Sequence, residues 1–473
     1  MKDRLESENE APFFDGLLAY RRNPGRSFHT PGHKSGRGLE AAWAALGNWA
    51  ELDLTEISGL DWEGNLRAAE AKAAQLFNAD ASFFLTQGAT QGILGGMLGA
   101  FAPGSRVLVA RNCHVAVAKG LILADLEPVY LEVDWLTDWD LPVGINLEYL
   151  TQALTRYPDA CGLILTNPTY QGIATALHPI REVLGERILF VDEAHGGHLG
   201  WSGRPGYEAS AVADLWVQGT HKIHGSLTQT GLLHLSGKRL TVERIRQGME
   251  LISSTSPSFL LMASLDSTRR YLASEGRAWF EERLPRVAEL KRRISRLPGF
   301  VLLEETVLKT GGLDPWKIVL ASDRCSGLQL ERILVKQFQI QPEYADRRQV
   351  TLFLTPWQEP VVWESLYRAL QWIGNSAVPA TAGNDRQQLR LGIPPLRMKP
   401  RAAVNADPEW VGLDAAAGRI AAAAVTPYPP GIPVIAPGEL IRSEELDGLL
   451  QLARCGGTIR GVTADGMIKV VKD

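Results

Sequence analysis

The chain has 473 residues, 45% of them hydrophobic and 22% charged, and a formal net charge of −4. That length supports two or three domains around a large core, and the mild acidity excludes a basic nucleic-acid-binding surface as the main feature. Four scattered cysteines (Cys113, Cys161, Cys325, Cys455) give neither a disulfide framework nor paired metal ligands, which fits a reducing compartment.

In chain order, residues 1–10 are polar and acidic, with no apolar run behind them to act as a signal peptide. An N-terminal arm is expected over residues 1–25. Residues 60–78 carry alanine-rich helical spacing. Residues 92–101 are the most apolar stretch, but they are glycine-rich and too short to span a bilayer. A soluble, cytoplasmic protein is expected.

From about residue 80 to 235, short apolar runs alternate with helix-like stretches. The runs are Arg106–Ala110, Gly162–Thr166, Ile188–Asp192, Leu215–Gln218 and Gly231–Leu235. Uninterrupted apolar runs of this length predict buried strands of a largely parallel sheet covered on both faces. Residues 247–273 read as helical with a Ser/Thr/Pro break at 253–258, and 278–297 as a charged amphipathic helix. Strands over 300–304, 316–320 and 349–354 then predict a smaller α/β domain ending near Trp372. Residues 375–387 are rich in Ala, Thr, Pro and Gly and read as a linker. Beyond them Pro427-Tyr428-Pro429-Pro430-Gly431-Ile432-Pro433 excludes regular helix and predicts a stiff, extended segment. The expected division is a large domain over 26–275, a small one over 276–374 and a C-terminal one over 388–473.

Three places carry chemistry. Thr86-Gln87-Gly88-Ala89-Thr90-Gln91-Gly92 follows an apolar run and precedes a helix, so small residues and the helix N-terminus could accept an anion, with Thr90 adding a hydroxyl. A bland strand-to-helix turn explains the same residues. Asp192 ends a buried strand, where a carboxylate points into the crevice in which α/β proteins bind ligands. Paired with a pyridine nitrogen it would keep that nitrogen protonated. It could equally cap the next helix, or join His195 and His198 in a metal site. Lys222, in Gly219-Thr220-His221-Lys222-Ile223-His224, emerges from a buried strand among histidines. Burial beside ionisable groups lowers a lysine's proton affinity and makes its amine nucleophilic, as Schiff-base formation requires. An exposed loop lysine is the alternative.

Several runs resemble the Orn/Lys/Arg decarboxylase family. They are Arg26-Ser27-Phe28-His29-Thr30-Pro31-Gly32-His33-Lys34, Leu54-Thr55-Glu56-Ile57-Ser58-Gly59-Leu60-Asp61, Val191-Asp192-Glu193-Ala194-His195-Gly196, Thr220-His221-Lys222 and Ser254-Thr255-Ser256-Pro257-Ser258. The 428–433 segment with Pro437-Gly438-Glu439 resembles that family's C-terminal domain. The likeness runs through nearly the whole chain, in the manner of the shorter bacterial members without an N-terminal wing domain. It implies a fold-type-I enzyme dependent on pyridoxal 5'-phosphate (PLP): a mostly parallel α/β large domain, a smaller α/β domain and a C-terminal α+β domain.

Under this resemblance Lys222 holds the cofactor as a Schiff base and Asp192 pairs with the pyridinium nitrogen. His114 stacks on one ring face and Ala194 packs on the other. His195 lies near the phenolic oxygen or the substrate carboxylate, and His221 contacts phosphate or substrate. Ala89 and Thr90 match the phosphate-binding turn, and residues 254–258 are expected to reach a neighbouring subunit's phosphate. A catalytic set of Lys222, His221 and His195 follows, with no metal. Three departures stand out. Gly219 replaces the usual Ser, Ala89 stands where a hydroxyl residue is common, and the run after Asp61 is short.

The implied reaction is decarboxylation of arginine, lysine or ornithine to an amine and carbon dioxide, in polyamine biosynthesis. A basic substrate side chain needs an acidic partner, for which Glu343 and Asp346 are candidates, although both also read as solvated loop carboxylates. A homodimer or higher homo-oligomer acting on a small amino acid is expected, with no nucleic-acid or membrane partner. Transamination or elimination on the same fold, a non-catalytic PLP-binding relative and a metal-dependent hydrolase are the alternatives.

Overall fold

The computed structural model describes residues 9–24, 26–204, 206–376, 392–454 and 457–472. Its centre is a seven-stranded sheet of β1 (Ala81–Leu85), β2 (Arg106–Ala110), β3 (Glu127–Leu131), β4 (Gly162–Thr166), β5 (Ile188–Asp192), β6 (Leu215–Gln218) and β7 (Gly231–Leu235). The strand order is β1-β7-β6-β5-β4-β2-β3. From β3 across to β6 all pairings are parallel, whereas β7 runs antiparallel to both neighbours. The five apolar runs fall on strands, because residues buried on both faces leave no polar alternation. Strand β3 escapes that pattern. Its sequence Glu-Pro-Val-Tyr-Leu, at the sheet edge, mixes a charge and a proline with apolar residues.

The glycine-rich stretch becomes helix α2 (Gly88–Ala100), following α1 (Trp62–Leu76). A Cβ at Gly92 would lie 2.6 Å from Val217, and one at Gly99 would lie 2.8 Å from the Cα of Ile245. Small residues therefore let α2 sit hard against the sheet and against α3 (Val242–Glu250), with its N-terminus at the carboxyl edge of the strands. Asp61 caps α1 by accepting from Gly64 N at 3.0 Å, so Trp62 to Leu66 form the helix's opening turn rather than a short loop.

A second, antiparallel sheet has the order β8 (Phe300–Leu302), β9 (Lys317–Ser322), β11 (Gln349–Phe353), β10 (Tyr344–Ala345). It packs with the helices Arg277–Ile294 and Pro360–Asn375 in one apolar cluster, which also takes in Phe13 and Leu17 from the N-terminal helix Pro12–Arg22. The arm expected before residue 26 is thus partly core. A third cluster belongs to the C-terminal residues, with the strand pair Pro408–Gly412 and Met467–Val471 and the helix Ser443–Arg454. The proline-rich segment is a turn, not the extended rod expected. Cis peptide bonds precede Pro429 and Pro430, and Gly431 N closes back on Pro427 O. Residues 377–391, most of the expected linker, and Cys455 lie outside the described residues.

Candidate active site

The carboxyl edge of the sheet brings Thr166, Asp192 and Val217 level on adjacent strands. Above them is a cavity of about 320 Å³ whose lining includes Ala89, Thr90, His114, Asp192, Ala194, His195, His221 and Lys222. These are the eight residues that the sequence singles out around one cofactor, drawn from four separate chain segments.

Lys222 stands in the four-residue turn Thr220–Ile223 directly after β6. Its Nζ is 2.8 Å from His195 Nε2. Burial lowers the proton affinity of the lysine, while the Asp192 and Glu343 carboxylates oppose that. His195 is held well below the usual imidazole range by burial, then by the charges of Lys222 and Lys317. Its neutral ring can therefore accept from the lysine. Asp192 is buried and takes Ala194 N on Oδ1 at 3.1 Å.

His221 donates from Nδ1 to Thr230 O at 2.7 Å, which leaves Nε2 free to accept. Burial also lowers His221. His114 caps the helix Val115–Leu123, its Nδ1 accepting from Ala116 N at 3.2 Å. Burial lowers this imidazole too. Its ring is backed by Gly431 from the C-terminal turn.

The open amides lie in the first turn of α2, after Gly88, whose N donates to Gln229 O at 2.6 Å. Gly88 adopts φ +73, and no side-chain hydrogen bond caps the helix among the described residues. Gln91, which the sequence reading passed over, organises the turn. Its Oε1 accepts Thr86 N and Gln87 N, each at 3.1 Å, and its Nε2 donates to Ser253 Oγ at 2.8 Å. Residues 254–258 do not line the cavity, and Ser254 to Ser256 are exposed. Ser258 caps the helix Phe259–Tyr271 through Leu261 N.

Both acidic candidates line a neighbouring cavity of about 420 Å³, but only Glu343 also lines this one. Glu343 lines the mouth of the cavity, where it accepts the Tyr170 hydroxyl at 2.7 Å. Asp346 instead accepts Arg348 N and Gln349 N, at 2.7 and 2.9 Å, and so closes its own turn. His195 and His198 do not converge on a metal. One meets Lys222 and the other donates to Asp314 at 2.8 Å, and no metal-holding group of three occurs among the described residues. Tyr170, Asn112 and Gln171 also line the cavity and were missed. Tyr170 follows β4, so the strand-end rule that picked Asp192 would have found it.

The residues fit PLP. Open amides at a helix N-terminus suit a phosphate, a buried carboxylate suits a protonated ring nitrogen, and the buried Asn112 Oδ1 has no partner among the described residues. Sheet order, strand-end aspartate and the lysine one strand further define a fold-type-I PLP-dependent enzyme. Solved structures agree on the fold. Pseudomonas aeruginosa lysine decarboxylase A superposes with a TM-score of 0.85 at 20% identity, over 99% of this chain and 81% of that one. A Nostoc alanine–glyoxylate aminotransferase gives 0.53 at 17% identity, over 66% of this chain and 87% of that one.

Residues 11–317 match the Orn/Lys/Arg decarboxylase major domain, and residues 387–459 match the Orn/Lys/Arg decarboxylase C-terminal domain. The arginine decarboxylase of Bacillus subtilis is 31% identical over 484 residues, covering 99% of each chain. The constitutive lysine decarboxylase of Escherichia coli is 24% identical, over 96% of this chain and 79% of that protein. The chain belongs to the Orn/Lys/Arg decarboxylase family and is a PLP-dependent amino-acid carboxy-lyase. Among the described residues no helix is long and apolar enough to cross a membrane.

Proposed function

We propose that the chain decarboxylates a basic amino acid, arginine, lysine or ornithine, to its amine and carbon dioxide. The observation that carries this reading is Glu343, a carboxylate at the cavity mouth on the approach to Lys222, steadied by the Tyr170 hydroxyl. A cationic side chain reaching out of the cavity would meet it. Asp346, spent on its own turn, is left out of that role. Arginine is the first substrate to try, because relatives at 30–31% identity along nearly their whole length are arginine decarboxylases.

Bound PLP supplies the electron sink for the pair released when the Cα–carboxylate bond breaks. The chain's own residues do the rest. Asp192 would hold the proton on the ring nitrogen. The amides at Ala89 and Thr90, with His221, would hold the phosphate. His114 and Ala194, both lining the cavity, would hold the ring. Lys222 would provide the amine that holds the cofactor. The neutral His195 ring accepts a hydrogen bond from the Lys222 amine and so keeps that amine's proton at hand for return to Cα.

We extend the proposal to a cytoplasmic homodimer in polyamine synthesis, with residues 254–258 facing a neighbour's phosphate site. The units 26–275, 276–374 and 388–473 are proposed as its domains. The test is incubation with PLP and each of arginine, lysine and ornithine, measuring carbon dioxide and amine. A 2-keto acid in place of the amine would point to transamination, and no product from any of the three would end the proposal.

A further inference from the structure

Behind the Lys222–His195 pair stands a second buried lysine that the proposed steps leave unused. Lys317 opens strand β9, and its side chain is 5% exposed. Burying an ammonium costs several kcal/mol unless it is well partnered, so its environment needs an explanation. The Nζ donates to Tyr170 O at 3.0 Å and lies 4.6 Å from the centre of the Phe353 ring. Asp314 Oδ2 is 3.9 Å away. Asp314 is anchored in turn: its Oδ1 takes His198 Nε2 at 2.8 Å and Trp316 N at 2.9 Å, and its own N donates to Gly172 O at 2.7 Å.

Tyr170 and Phe353, the two groups on which Lys317 acts, are the rings that stand edge-on to His195. Their centroids lie 4.9 and 5.4 Å from that of the imidazole. A void of about 10 Å³ separates these groups, with Lys222, His195 and Lys317 all on its wall. The lysine therefore ties the small sheet to both walls of the histidine that meets the cofactor lysine.

We propose that Lys317, braced by Asp314 and His198, is a positioning residue that clamps Tyr170 and Phe353 around His195 and so keeps the imidazole against the Lys222 amine. This rests on Lys222 being the cofactor lysine. The charge works in the same direction as the clamp. Lys222 and His221 face His195 from the turn after β6, His114 from the end of β2, Lys317 from the small sheet, and Asp192 from its own strand, with Glu343 beyond Tyr170. After burial and Lys222, Lys317 is the next influence against protonating His195. A histidine left neutral can accept a hydrogen bond from the Lys222 amine, and a protonated one cannot.

The test compares the full-length wild type with Lys317→Met, Lys317→Gln and Lys317→Arg. The first readout is the His195 ring titration by NMR in cofactor-free protein, assigned through His195→Asn. Met and Gln are expected to raise its midpoint by on the order of one pH unit, and Arg to keep it near wild type. The second is the kcat and KM of the loaded enzyme. Met and Gln should lower kcat by about tenfold with KM within about twofold, and Arg should restore most of kcat. Gln keeps a donor for Tyr170 O and serves if Met does not fold. Unchanged His195 titration and unchanged kcat in the neutral variants would overturn the proposal. The NMR arm needs neither cofactor nor substrate, so a failure of the decarboxylase reading would be seen separately, in the product assay.

Discussion

Gly431 presses against the ring of His114, more than 300 positions earlier in the chain. Its carbonyl accepts Val115 N at 2.8 Å, and a Cβ at Gly431 would lie 2.8 Å from His114 Cδ2 and 2.9 Å from Nε2. With φ at +89 the position favours glycine twice over, for backbone and for space. Gly431→Ala should cost about 1–3 kcal/mol and tilt the imidazole. Thermal unfolding reads the first effect. Fluorescence titration with PLP reads the second, as a weakening of about tenfold.

Arg111 makes the neighbouring join. Its guanidinium donates to Gly392 O and Val434 O at 2.7 and 2.8 Å and pairs with Glu439 at 2.9 Å, both side chains nearly fully buried. Arg111→Met leaves a buried carboxylate alone and should destabilise by about 3–5 kcal/mol. Arg111→Met combined with Glu439→Leu removes both charges and should recover part of that loss. Urea unfolding of the two variants decides it.

Asp314 makes an acid-side signature. Burial opposes its ionisation, but the ring of His198 and then Lys317 outweigh that and hold the carboxyl down to about 2, against an ordinary 3.8. A carboxyl depressed on folding contributes stability that is present above pH 3.8 and lost as pH falls through 2. The loss should be about 2 kcal/mol between those limits. Asp314→Asn should be less stable at pH 7 and show a flatter decline from pH 4 to 2, measured by chemical unfolding at each pH.

Gly219 stands where the family resemblance leads one to expect serine. A Cβ there would lie 2.9 Å from Ala194 O and 3.1 Å from both Cδ and Cε of Lys222. Gly219→Ser should therefore displace the lysine stem and lower kcat by about three- to tenfold, without tightening PLP. Steady-state kinetics and equilibrium dialysis with PLP check both parts.

What could be read in the sequence follows from burial. Strands such as Ile188–Asp192 are apolar along their whole length because both faces are covered, so their ends were placed to the residue. Asp192 and Lys222 were legible because a charge at the end of such a run is out of place. The edge strand Glu127–Leu131 had no such signature. Lys317, inside the strand expected over 316–320, and Asp314 just before it carry no sequence signal of their own, since only tertiary packing buries them against Tyr170, Phe353 and His198. Asp346 carries the same sequence signal as Glu343, and its turn with Arg348 and Gln349 shows only in the fold. The prolines after Pro427 announced irregular backbone, but not that it would fold back on His114.

The identity of the cofactor lysine can be settled by loading the protein with PLP, reducing it with borohydride and mapping the modified peptide. The label should appear on Lys222, and Lys222→Ala should carry none and form no amine. A label on Lys317, the other lysine beside the His195 ring, or on any other side chain would contradict the site described here.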